Sequence, residues 1–294
     1  MPDYSDRRLT PPAGMPTPYQ VSKSVAAIYE TPDHDSRLAT QALQGETLMV
    51  FNSSDDFVSV QLDRDRYVGW ARKSDLTARN DTQTAPNSPE TASNCTLSHK
   101  VCTARTHAYS APDLKTRPLA CLSLGSRVSV LSVEGDWANC GAVGWVHMRH
   151  LSPIATYESD PASVAERFVG TPYLWGGRES LGIDCTGLSQ QAFEACGVLL
   201  PRDSDMQAAW CGTEIADWQS PGALRRGDLV FWKGHVGIML DADTLLHANA
   251  WHMAVAREPL TGAIERIRTY YAEPTGARRI DVQTSVLETP DWLK

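Results

Sequence analysis

The stretch YLWGGRESLGIDCTGLSQQAF, residues 173–193, decides how this chain is read. It runs from an aromatic and glycine-rich segment into one cysteine that opens a helical pattern. From Asp184 onward, Leu188, Ala192, Cys196 and Leu199 recur at a spacing that lines one helix face. Cys185 lies three residues before Leu188, so its thiol falls on the inward face of the first turn. A helix N-terminus carries unpaired N–H groups and the positive end of the dipole, which favours a thiolate and can hold an oxyanion. The Gly176-Gly177 pair lets a loop approach closely. Free cysteines are also common core residues, so the stretch alone leaves structure and chemistry both open.

A nucleophilic cysteine needs a base, and the base needs an orienting partner. Downstream lies RRGDLVFWKGHVGIMLDADTLLHANAWHMAVAREPL, residues 225–260. It reads as antiparallel strands DLVFW, HVGIML, TLLHAN and HMAVARE, with turns at KG and DAD. His235 opens one strand and His247 lies near the end of the next. Strand twist or an intervening turn can bring these two ends together. Upstream, PASVAERFVG reads as a short helix with proline in its first turn.

The bulk numbers narrow the setting. A chain of 294 residues is expected to hold two or three domains. Hydrophobic residues make up 42% and charged residues 21%, the balance of an ordinary globular protein. The net charge of −8 speaks against a nucleic-acid partner. Residues 1–20, MPDYSDRRLTPPAGMPTPYQ, have no apolar core of a signal peptide, and no run of 18 apolar residues exists to span a membrane. The seven cysteines, at 95, 102, 121, 140, 185, 196 and 211, show no CxxC spacing. A reducing, cytoplasmic setting is the expectation.

The first half repeats itself. Tyr29, Pro32, Asp33, Arg37, Gly45 and Val50 match Tyr109, Pro112, Asp113, Arg117, Gly125 and Val130. Phe57 corresponds to Trp137. After a five-residue deletion, VGW at 68–70 matches VGW at 143–145, and Leu76 matches Leu151. Short alternating runs broken by Gly, Asp and Ser read as a small β-barrel in each copy. Between the copies, ARNDTQTAPNSPETASN (78–94) reads as a linker.

The two copies resemble tandem bacterial SH3-like domains, with GW near the end of each. Residues 160–275 resemble the NlpC/P60 cysteine peptidases, a papain-like superfamily, through YLWGG, DCTG, LPRDSDMQ, GDLVFW, HVGIML and LLHAN in the family's order. Thr186 stands where most members have serine. The resemblance implies an α+β chain: two small SH3-like β-barrels followed by a papain-like domain of helices packed on an antiparallel sheet. The expected boundaries are 1–20 for an N-terminal extension, 21–78 and 96–153 for the SH3-like domains, 79–95 for the linker, 160–282 for the catalytic domain and 283–294 for a tail. Cys185 is then nucleophile and His235 base. His247 orients the imidazole, and Tyr173 sits near the oxyanion site.

Order and content together resemble the γ-D-glutamyl-L-diamino acid endopeptidases of that family, which act on peptidoglycan-derived peptides with a free N-terminal L-alanine. The implied partner is that small peptide, with no nucleic acid, membrane, cofactor or metal. Asp184 beside a thiol would weaken it as a nucleophile unless the carboxylate meets a cation, and a substrate ammonium is one such cation. Helix N-capping is its alternative role. By the resemblance Arg202, Asp203 and Ser204 line the pocket for the D-glutamate carboxylate; a helix start at Asp203 or Ser204 is the local alternative. Thr186 joins this substrate-binding set, and Trp175 is a candidate cleft wall. Tyr67 and Glu30 correspond to Ala142 and Ser110 in the second copy, so the repeat itself does not require them. The resemblance makes them candidates for recognising the L-alanine amine.

Three other readings compete. The chain could cut intact peptidoglycan, gripping the wall through its SH3-like pair. It could be a non-catalytic wall-peptide binder. His235, His247 and His252 could hold a metal, although no carboxylate or thiol has persuasive spacing to them in the sequence.

Overall fold

The computed structural model describes residues 6–79, 96–286 and 288–293. The chain divides into two compact units, Ser5–Thr156 and Tyr157–Lys294. Most of the expected linker, 80–95, and Cys95 with it, lies outside the described residues.

The first unit is built of strands. β1 (Thr17–Val21), β2 (Val25–Tyr29), β3 (Leu38–Leu43), β4 (Thr47–Ser54), β5 (Phe57–Leu62), β6 (Val68–Arg72) and β7 (Leu76–Ala78) form one sheet in the order β3-β2-β6-β5-β4-β1-β7. Then come β8 (His99–Val101), β9 (Arg105–Tyr109), β10 (Pro118–Ser123), β11 (Arg127–Val128), β12 (Ser132–Glu134), β13 (Trp137–Asn139), β14 (Trp145–His147) and β15 (Leu151–Pro153). They make a five-stranded sheet, β10-β9-β14-β13-β12, and a three-stranded one, β11-β8-β15.

The repeat in the sequence is a repeat of strand register. Tyr29 pairs with Trp70 and Ile28 with Ala71; Tyr109 pairs with Trp145 and Ala108 with Val146. Phe57 pairs with Arg72, and Trp137 with His147. In both copies the tyrosine meets the next aromatic edge to face, Tyr29–Phe57 at 6.0 Å and Tyr109–Trp137 at 5.4 Å. Gly45 and Gly125 share a positive φ, 81° and 84°, and each donates its N–H to the equivalent carbonyl, Val21 or Val101. The five missing residues are taken from the β5–β6 turn, where β5 holds six residues and β13 only three.

One boundary moves. The first sheet begins at Thr17 rather than residue 21, because β1 is needed to pair with both β4 and β7. The segment ahead of it also belongs to this unit. Leu9 is buried, its carbonyl accepts from Gln61 Nε2 at 2.9 Å, and the Arg8 carbonyl accepts from Val68 N–H.

The second unit sets helices on a sheet. Its elements are α1 (Pro161–Glu166), β16 (Arg178–Glu179), β17 (Gly182–Ile183), α2 (Cys185–Ala195), α3 (Ser204–Trp210), β18 (Thr213–Glu214), β19 (Leu229–Trp232), β20 (His235–Met239), β21 (Thr244–Asn249), β22 (Ala254–Pro259), α4 (Leu260–Tyr270), β23 (Pro274–Arg279) and α5 (Val282–Ser285). The main sheet runs β18-β23-β19-β20-β21-β22 and is antiparallel throughout. α4 covers one face through Leu260 and Ala263, packed with Val230, Trp232, Met239 and Leu245. α1 starts as its sequence implies: Asp160 Oδ1 accepts from Ala162 N at 3.0 Å and Pro161 takes the first helical position. α2 ends about one turn earlier than the full Leu188–Leu199 pattern suggests. Cys196 is its C-cap, Gly197 follows at φ +80°, and Leu199 lies beyond the helix. Near the C-terminus Trp292 is buried, 3% exposed. Among the described residues no helix is long and apolar enough to cross a membrane.

Candidate active site

Cys185 is the first residue of α2 and is buried. It gets there because Asp184 caps the helix: Oδ1 accepts from Gly187 N at 2.7 Å. The same carboxylate ties down the glycine loop, since Oδ2 accepts from Gly176 N at 2.9 Å. α2 and this loop touch without side chains between them. A Cβ on Gly187 would stand 2.3 Å from the Gly177 carbonyl oxygen.

The thiol accepts from the backbone N–H of Val236, the residue after His235. The β20–β21 ladder covers only Ile238↔Leu246 and Met239↔Leu245, so the start of β20 is left to meet α2. That register, extended by one residue, puts His247 opposite Gly237. His235 is then a diagonal same-face neighbour, close enough for aromatic side chains to meet. They do meet: His235 Nε2 and His247 Nδ1 are 2.8 Å apart. The two histidines singled out in the sequence are therefore in contact.

The chain of contacts continues past the two histidines. On β22 Glu258 lies two residues along from Ala256, the residue paired with His247. Its Oε1 is 2.7 Å from His247 Nε2. Arg266 of α4 donates to the same oxygen. Glu258 was not among the sequence candidates. Period-two alternation puts residues 254, 256 and 258 on one face, but only the register shows which of them reaches His247.

Burial raises the Cys185 thiol to about 12, with the Asp184 charge adding to the rise; the Val236 N–H, Arg202 and the Thr186 N–H oppose it. Burial pushes His235 down to about 3, assisted by His247 and Arg266 and opposed by Glu258. Both shifts favour a neutral thiol and a neutral imidazole. Tyr173 is held well above the ordinary phenol range, first by burial and then by Cys185 and Asp184. Its hydroxyl therefore keeps its proton and can donate it in a hydrogen bond. Trp175, in the same turn, is 64% exposed and free to wall a cleft.

Asp184 has a cation inside its own domain, Arg202. Arg202 Nη2 lies 2.6 Å from Oδ2 and Nη1 lies 3.1 Å from Oδ1. With Gly176, Gly187 and the Thr186 hydroxyl, five donors meet about four lone-pair positions, and the carboxylate is saturated. Arg202 is itself only 2% exposed. Thr186 is enclosed in this network too, accepting from Arg202 and donating to Asp184 at 3.1 Å. Asp203 is the N-cap residue of α3, without a side-chain cap bond, and Ser204 is buried at its first position. Gln207 ties α3 to α2, accepting from Ser189 Oγ at 2.8 Å. Tyr67 and Glu30 belong to the first unit: Tyr67 is buried at the β5–β6 turn and Glu30 is exposed after β2.

The metal reading gains the carboxylate it lacked, in part. Ligand atoms of His247, His252 and Glu258 lie within 4.8 Å of one another. The Arg266 guanidinium already occupies the Glu258 oxygen that would face the ion.

Residues 170–272 match the model of the NlpC/P60 family, and residues 28–76 match that of the bacterial dipeptidyl-peptidase SH3 domain. A γ-D-glutamyl-L-lysine dipeptidyl-peptidase of Bacillus subtilis is 26% identical over 73% of this chain and 73% of its own length. A protein of the same name from Bacillus cereus is 25% identical over 83% of this chain and 75% of its own. Dipeptidyl-peptidase 6 of Lysinibacillus sphaericus is 32% identical over 36% of this chain, which spans only 38% of that relative's length. The crystal structure of an NlpC/P60 family protein from Bacillus cereus superposes with a TM-score of 0.71 at 22% identity, over 90% of this chain and 99% of that one, which establishes likeness of fold. The cysteine at a capped helix start, the paired strand histidines and these matches together make this chain a cysteine peptidase, with an NlpC/P60 domain behind a bacterial SH3 domain.

Proposed function

We propose that the enzyme hydrolyses the amide between the D-glutamate γ-carboxyl and an L-diamino acid in peptides released from peptidoglycan. The preferred substrate has a free N-terminal L-alanine, and the setting is muropeptide recycling in the cytoplasm. The catalytic domain is papain-like, and the second copy in the first unit is a further SH3-like barrel. The observation that carries the reaction is Cys185 at a helix N-terminus beside Val236, the residue next to His235, with His235 paired to His247. The names of the two relatives aligned over most of the chain support the bond.

The chemistry follows from the geometry. One nitrogen of His235 is engaged by His247, which leaves Nδ1 to take the thiol proton. The sulfur attacks the γ-carbonyl carbon. Its oxygen gains charge as the tetrahedral intermediate forms, with the Tyr173 hydroxyl and backbone N–H donors at the start of α2 assigned to hold it. Collapse expels the diamino acid's amine, which takes the proton back from His235 and leaves a thioester. Water, deprotonated by His235, then releases the glutamyl product and restores the thiol.

The test is mass spectrometry of synthetic L-Ala-γ-D-Glu-L-Lys and its meso-diaminopimelate counterpart, each with a free or N-acetylated amine. Cleavage after D-glutamate in the free-amine peptides, with little in the acetylated ones, is expected. Equal rates on capped and free peptides would overturn the amine requirement and favour intact wall as substrate.

A further inference from the structure

We propose that Glu258, anchored by Arg266, is a positioning residue that fixes which nitrogens of His235 and His247 carry protons. The inference rests on the peptidase reading above.

The argument is one of donors and acceptors along a single line. Arg266 is a donor only, so the Glu258 oxygen it meets is held as an acceptor. An ionised carboxylate has no proton to give, so His247 must donate to it from Nε2 across 2.7 Å. A neutral imidazole carries one proton, and the burial of His247 disfavours a second. Its Nδ1 is therefore the acceptor. The partner of that acceptor, His235 Nε2, must then be the donor across 2.8 Å. That places the lone pair of His235 on Nδ1, the tautomer a general base needs. Without Glu258 the two histidines can hold the opposite arrangement equally well, with His235 protonated on Nδ1 and unable to accept a proton there.

The line has its own scaffold. His235, His247 and Glu258 step diagonally across β20, β21 and β22 on one sheet face. Arg266 comes from α4, and its guanidinium lies 5.2 Å from the Trp251 ring centre, which stacks on Tyr270. The charge of Glu258 also acts on the base. Glu258 favours protonated His235, whereas His247 and Arg266 disfavour it. On His247 the acting groups are Glu258, Arg266 and His252.

Nitrogen-15 NMR of the wild-type enzyme at neutral pH reads the tautomers without any substrate. Protons on Nε2 of both His235 and His247 are expected; a proton on Nδ1 of His247 overturns the proposal. Because no turnover is involved, this result stands apart from whether the proposed peptide is cut. In kinetics, Glu258→Leu should lower kcat by at least about tenfold with KM little changed, less than the ~10²–10⁴-fold typical of losing the base itself. Glu258→Gln keeps an oxygen toward Arg266 and His247 and should retain more activity than Glu258→Leu. Removing the carboxylate charge lowers the proton affinity of His235, so the acid limb of kcat/KM should move to lower pH in Glu258→Gln. Arg266→Met removes the opposing charge and should move it to higher pH. Shifts in the same direction, or none, would overturn the electrostatic part, since a merely structural role moves neither limb in this way.

Discussion

Arg202→Met should be among the most damaging single changes in the catalytic unit, although Arg202 touches no reacting atom. Arg202 and Asp184 are buried, with side chains 2% and 8% exposed, and their closest approach is 2.6 Å. Methionine keeps much of the volume but leaves the Asp184 carboxylate without its cation, with Gly176, Gly187 and Thr186 as remaining donors. Removing one partner of a buried ion pair costs about 3–5 kcal/mol. For a unit of this size that corresponds to a fall in Tm of about 6–20 °C. Calorimetry of the full chain gives the measurement, with exposure of the buried Cys211 thiol marking the transition of this unit. A cycle with Asp184→Asn and the double variant isolates the pair; the double variant should be less damaged than the sum of the singles. A second readout is chemical. Arg202 lowers the proton affinity of Cys185 and Asp184 raises it, so Arg202→Met should also slow alkylation of Cys185 at a given pH. A loss below about 1 kcal/mol, or strict additivity in the cycle, would refute the view that this pair holds the helix start.

Cys185→Ala should abolish turnover while preserving the calorimetric transitions, whereas single alanine changes at the other six cysteines should leave peptide cleavage measurable; substantial turnover by Cys185→Ala would remove it from the nucleophile role. Stopped assays of kcat should show His235→Ala losing roughly 10²–10⁴-fold and His247→Ala distinctly less, because the second acts through the first. Gly187→Ala should cost about 1–3 kcal/mol of stability and depress kcat/KM, since its Cβ would press 2.3 Å from the Gly177 carbonyl oxygen and push the loop off the helix start; wild-type kinetics in that variant would show that the close approach is dispensable.

The sequence by itself determined the elements and the chemistry each carries. Strands and helices follow from local alternation and capping, so HVGIML and TLLHAN were legible as β20 and β21, and Asp184 as the residue before a helix. The duplication was legible because equivalent residues keep equivalent registers, down to Tyr29 over Phe57 and Tyr109 over Trp137. The tertiary structure decided who faces whom. Asp184 and Arg202 are 18 residues apart, and each taken alone fits a substrate charge. Only their contact shows that they neutralise each other. Glu258 ends the strand HMAVARE with no local sign of its partner, because its contact depends on the register of β21 against β22, and a shift of one residue would turn it to the other face. Local sequence sets propensity and side-chain type, whereas ion pairs and proton lines depend on distances of a few ångströms between segments that only packing brings together.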